Sequence, residues 1–273
     1  MKTVCALRPL WAFFLLLVLS CSSKDDFSHE ESCNKKFEKL HEKFVKEKYS
    51  SIKISLSDLL STCSGAAFIE QAQFELAESH YNLKEWMEAQ AEYSNLLRDF
   101  PSSQFAEQAS FRLSECAAEQ IYSVNRDQSK THEAIRSYEN FIMEYANSKL
   151  VDSAKANANK LRAQLAEKEM NVATLYMKLD EYLSAAVYLK SVLKSYKDVV
   201  DAKALYLKLA RCYIHLKQFD EADAYLKELE NIKKSDPYFK KVKKLVVLKE
   251  KKQAEHAKRL KKKTSKANQV EEL

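Results

Sequence analysis

Residues 173–196 read ATLYMKLDEYLSAAVYLKSVLKSY, and this stretch decides the fold. Ala173 and Ala185 lie twelve apart, with Val172 just before the first. Tyr182 stands three before the second alanine, and Leu189, Val192 and Tyr196 stand four, seven and eleven after it. Apolar residues at these offsets share one face of a helix. Small residues at two fixed places let two antiparallel helices approach closely, and the large ones fill the seam to the next hairpin.

The pattern recurs in both directions. Towards the C-terminus, Ala210 and Ala222 repeat it with Leu209, Phe219, Leu226 and Leu229. Towards the N-terminus, Ala77 and Ala89 carry Leu76, Trp86, Tyr93, Leu96 and Phe100. A further copy centres on Ala134, with Tyr138, Phe141 and Tyr145, and its first helix is expected to be displaced by a long loop over 125–130. A weaker copy runs from Cys33 to Cys63, with Tyr49, Ile52, Leu56 and Leu59. One hairpin cannot bury its apolar face alone, so neighbours must stack. The pattern resembles the tetratricopeptide repeat, whose period is about 34 residues. It departs from that repeat in lacking the first-helix glycine and in closing with proline only at Pro101, since Ala146 and Lys197 take that place elsewhere. The expected fold is all-α: a solenoid of about five tetratricopeptide-like hairpins over residues 36–248, ending in a capping helix.

Composition agrees. The 273-residue chain has one glycine, Gly65, and three prolines, Pro9, Pro101 and Pro237. Glycine supplies positive φ and close backbone approach, so phosphate-cradling loops and dinucleotide-binding turns are excluded. No H-E-x-x-H, G-x-S-x-G or clustered His/Cys ligand spacing occurs, and the six histidines are scattered. The chain is therefore expected to be no enzyme, with no catalytic residue, metal or cofactor beyond a covalent lipid.

That lipid is expected from the N-terminus. Lys2 and Arg8 precede an unbroken apolar run from Leu10 to Leu19. The run is too short for a membrane span of about 20 residues and fits a signal core over residues 1–20. Val18-Leu19-Ser20-Cys21 follows and resembles the lipobox of bacterial lipoproteins. The resemblance implies cleavage before Cys21 and acylation there, and several acyl chains at one site anchor firmly. Ser22 in place of aspartate favours the outer membrane. Residues 21–35, polar and acidic after the cysteine, read as a flexible tether. Cys33 and Cys63 would meet at the open end of one hairpin, so a disulfide is one reading and small buried thiols the other.

The C-terminus is different. Thirteen Lys/Arg and two acids lie between Lys240 and Lys266, an excess of eleven positive charges in a chain whose net charge is +6. Phe239, Val242, Leu245, Val246 and Leu248 suit a capping helix. Residues 249–273 read as a basic tail, either an arm for an anionic lipid or acidic protein face or a solvated segment. Nucleic acid is not an expected partner of an exported chain.

The order of parts resembles the BamD family, lipoproteins of the β-barrel assembly (Bam) machinery. Residues 125–135 (NRDQSKTHEAI) resemble its Asp-Gln-then-Thr loop, and 144–148 (EYANS) its Tyr-Pro-Asn-Ser turn with alanine for proline. Leu161-Arg162 through Glu167, Ala173 with Tyr176, and Tyr182 with Ala185-Ala186 resemble its fourth repeat. The resemblance implies a non-catalytic outer-membrane scaffold on the periplasmic face. Its implied partners are a BamA-like barrel protein, other Bam lipoproteins and unfolded outer-membrane proteins. Another lipid-anchored adaptor, of secretin-assembly or Tol-system type, and a solute- or glycan-binding lipoprotein are the alternatives. Concave first-helix faces suit an extended or helical peptide. By repeat register they would expose Phe74, Glu78, Tyr81 and Asn82, then Met170, Thr174, Met177 and Lys178, then Leu207, Arg211 and His215, unless half of these pack between repeats.

Overall fold

A computed structural model describes residues 24–121 and 128–271. The expected signal segment, Cys21 and residues 125–127 of the loop expected over 125–130 lie outside the described residues. Within them the chain forms eleven α-helices and no strand. They divide into two compact units between Gln120 and Ile121.

The first unit holds α1 (Lys24–Val45), α2 (Tyr49–Thr62), α3 (Ile69–Asn82), α4 (Trp86–Asp99) and α5 (Ala106–Glu119). The second holds α6 (Ser129–Glu144), α7 (Val151–Lys178), α8 (Tyr182–Tyr196), α9 (Ala202–Leu216), α10 (Phe219–Lys227) and α11 (Phe239–Glu271). Hairpins α1–α2, α3–α4, α7–α8 and α9–α10 pack consecutively within their units, as a tetratricopeptide-like fold requires.

The paired alanines lie in the core. Ala77, Ala89, Ala173, Ala185, Ala210 and Ala222 are all fully buried. The large residues at helical offsets from them fill the layers, with Tyr93, Leu96, Leu189 and Val192 likewise sealed from solvent. In the first hairpin, Cys33 on α1 and Cys63 at the end of α2 form a disulfide, with Cα atoms 6.1 Å apart. It closes the open end of a cluster built on Phe37, Leu40, Ile52, Leu56 and Leu59. Cys116 and Cys212 are buried thiols, and burial raises both, to about 12 and about 11.

The scarcity of glycine does not remove positive φ from the chain. The tight turns of the four intact hairpins place Glu47, Lys84, Asp180 and Lys217 there, at φ of 56°, 61°, 58° and 63°. At the first two turns the backbone closes in the manner of a Schellman cap, with Lys48 N–H donating to the Lys43 carbonyl and Glu85 N–H to the His80 carbonyl. Gln218 N–H likewise donates to the Tyr213 carbonyl.

Two expected boundaries differ. The stretch 24–35, expected as a tether, is helical from Lys24 because α1 runs through it without a break. The tail does not begin at 249: α11 continues as one helix of 33 residues. Its Lys, Glu, Gln and Ala are good helix formers and no glycine or proline interrupts them. The N-terminal part of α11 packs on α9 and α10 as the expected cap, with Leu245 buried. No helix among the described residues is long and apolar enough to cross a membrane.

Candidate functional site

The residues expected on concave faces fall into two groups, one in each unit. On α3 the expectation is partly overturned. Phe74 is buried and stacks on Phe105 with ring centroids 4.8 Å apart. Glu78 is buried as well, accepting from the Tyr93 phenol at 2.6 Å and from Arg112 Nε at 3.3 Å. Neither is displayed to a partner, because the neighbouring helix α5 covers that register of α3 with its own side chains.

Tyr81 and Asn82 lie at the edge of this cluster. The Arg112 guanidinium sits 4.3 Å above the Tyr81 ring and donates to Glu115 Oε2 at 2.8 Å. The Tyr81 phenol donates to the same oxygen at 3.0 Å. Burial, then the Glu115 charge, push that phenol up to about 12. Asn82 is exposed, and its side-chain amide donates to the Glu78 carbonyl at 2.7 Å. The whole set is a hydrogen-bonded brace between α3 and α5, with one guanidinium shared by two carboxylates. Its organiser, Arg112, was not among the expected residues, although it lies 34 residues, one repeat period, after Glu78.

The second unit keeps an open surface. An open groove of about 730 Å³ lies between α7, α9 and the start of α11. Thr174, Met177 and Lys178 come from α7, Leu207 and Arg211 from α9, and Lys241, Lys244, Leu245 and Leu248 from α11. Five residues expected by register thus meet in one place. Met177, Leu207, Leu245 and Leu248 give the groove an apolar floor. Lys178, Lys208, Arg211, Lys241 and Lys244 give it a cationic rim against the single carboxylate of Asp180. Lys208 donates to Thr174 Oγ1 at 2.9 Å, and burial holds its ammonium below the usual lysine range.

Two expected residues stand outside this lining. Met170 packs against the core of the second unit. His215 stacks on Tyr182 with centroids 4.0 Å apart. Burial, followed by the charges of Lys252 and Arg211, lowers its pKa. Lys208, Lys241 and Lys244 were missed by repeat register. The lysine 34 residues after Thr174 was the available signal for the first, and α11 has no counterpart within a hairpin.

An open groove with an apolar floor and a cationic rim suits a peptide carrying acidic side chains between apolar anchors. It is not shaped to enclose a small molecule.

A family model described as YfiO, outer membrane lipoprotein, matches residues 29–229. The outer membrane protein assembly factor BamD of Caulobacter vibrioides is 28% identical to this chain over 107 residues, which are 39% of this chain and 35% of that relative. The match thus spans about a third of the relative's length.

Proposed function

The chain belongs to the YfiO family of outer membrane lipoproteins, and from that membership we propose that it is a non-catalytic scaffold for the assembly of outer-membrane β-barrel proteins. Acylation of Cys21 anchors it to the outer membrane, facing the periplasm. Its hairpins hold a BamA-like barrel protein and help deliver unfolded barrel chains, alongside other lipoproteins of the same machinery.

The observation that carries this reading is the groove of the second unit. Met177, Leu207, Leu245 and Leu248 would take apolar anchors of a bound segment, while Lys178, Arg211 and Lys244 would pair with its carboxylates. Residues on rigid helices hold such a surface ready before the partner arrives, which lowers the ordering cost of binding. The brace around Arg112 supports the same role differently, by stiffening the first unit without offering a docking face. The similarity to an assembly factor named BamD supports the choice of process.

Depletion tests the reading. Cells losing the protein are expected to lose folded barrels from the outer membrane while unfolded precursors accumulate in the periplasm. Normal levels of folded barrels after depletion would refute it.

A further inference from the structure

Helix α11 extends well past the hairpins it caps. Its last described ring contact with them is His256 against Phe219, at 6.1 Å between centroids. Beyond that point every described side chain to Ser265 is exposed, including Leu260 at 50%.

The charge on this helix is predominantly positive. From Lys240 to Ser265 there are eleven lysines and Arg259, against Glu250 and Glu255. Ten of these twelve cations are exposed. Only Lys249 pairs with a carboxylate among the described residues, that of Asp223. Placement around the helix is ordered too. Lys251, Lys258 and Lys262 follow one another at steps of seven and four, so they form one stripe along a helix of 3.6 residues per turn. Confining so many like charges to one helix raises repulsion, and a counter-surface of opposite sign relieves it.

We propose that the outer part of α11 is a docking surface for an anionic bilayer, with its lysine stripe lying against lipid headgroup phosphates. Three observations favour a bilayer over an acidic protein. Lysine outnumbers arginine eleven to one here, whereas protein interfaces are enriched in arginine and depleted of lysine. Apart from Leu260, the exposed stretch offers no large apolar residue to fill a partner's pocket, whereas clustered lysines on a helix suit diffuse attraction to a charged membrane. The family is one of outer membrane lipoproteins, so a bilayer is the anionic surface at hand. The inference needs only that membrane association, not the barrel-assembly reading. A second attachment of this kind would hold the C-terminal hairpins near the membrane independently of the lipid at Cys21.

Vesicle flotation tests it, using the mature chain from residue 21 carrying Cys21→Ser, produced without residues 1–20 so that neither an acyl chain nor the apolar run from Leu10 to Leu19 contributes. The chain is expected to float with vesicles of phosphatidylglycerol mixed into phosphatidylcholine, and not with phosphatidylcholine alone. Salt of about 1 M, where the Debye length falls to about 3 Å, should release it. Combined Lys251→Glu, Lys258→Glu and Lys262→Glu should weaken retention at least about a hundredfold, with an unchanged helical far-UV signal. The matching arginine substitutions should retain it. Equal flotation on the neutral vesicles, or retention undiminished by the charge reversals, would overturn the proposal. So would capture by polyglutamate or duplex DNA without flotation on the anionic vesicles.

Discussion

Arg112 donates to the Glu78 carboxylate from 34 residues further along the chain, at 3.3 Å. The same separation joins Tyr81 to Glu115, Lys208 to Thr174 and His41 to Glu75. One repeat period therefore carries a polar cross-tie from α1 to α3, from α3 to α5 and from α7 to α9, on top of the apolar packing. Hydrogen bonds to charged groups contribute about 1.5–3 kcal/mol each when partly buried. Arg112→Met is expected to destabilise the protein by about 2–3 kcal/mol, because it leaves Glu78 to the Tyr93 phenol alone. Combining it with Glu78→Gln should cost less than the sum of the two single changes, read from denaturant midpoints.

The turn residue Lys84, at φ 61°, occupies a conformation that costs an L-residue roughly 1–2 kcal/mol and glycine little. Lys84→Gly is expected to stabilise the protein by about 0.5–1 kcal/mol, after the entropy glycine adds to the unfolded chain. Lys84→Ala should leave stability nearly unchanged, since alanine meets the same steric cost. Thermal melts of the two variants separate backbone strain from loss of the lysine charge.

The Cys33–Cys63 disulfide closes a loop with a sequence separation of 30. In the chain-entropy account a loop of that size contributes about 3–4 kcal/mol. Cys63→Ser is expected to remove most of it, and the loss should be local. Amide exchange should accelerate in α1 and α2 while α7 to α10 stay protected.

The lowered pKa of His215 gives a pH dependence of known sign. Its folded-state value lies below the ordinary histidine value of about 6.5, so the unfolded chain binds the proton more readily. The stabilisation is complete above about pH 6.5 and is lost as pH falls through the lower folded value. Denaturation midpoints between about pH 7.5 and about pH 5 should fall more for the wild type than for His215→Gln.

How much of this was legible follows from particular residues. Alanines twelve apart were legible because only a small side chain lets two helices approach closely, and all six are sealed in the core. Cys33 and Cys63 pair where the ends of one hairpin meet. Phe74 and Glu78 were misplaced because repeat register says which face a residue takes but not which side chain of the next repeat covers it. Phe105 covers the first and Arg112 the second. The tail was read from its charge, which says nothing of its conformation, whereas its residue types favour the helix it forms. The groove of the second unit was half legible: α7 and α9 supplied their residues by register, and α11, which belongs to no repeat, completed it.

Site-specific photo-crosslinking in living cells tests most directly whether the second-unit groove holds the barrel partner. A photoreactive residue at Leu207, in the groove floor, is compared with one at Val187, which is 62% exposed on α8 outside the lining. An adduct with the BamA-like barrel protein is expected from Leu207 and not from Val187, and Arg211→Glu should abolish it. A barrel protein that co-purifies with the chain yet forms no adduct from Leu207, or forms one equally from Val187, would contradict the account.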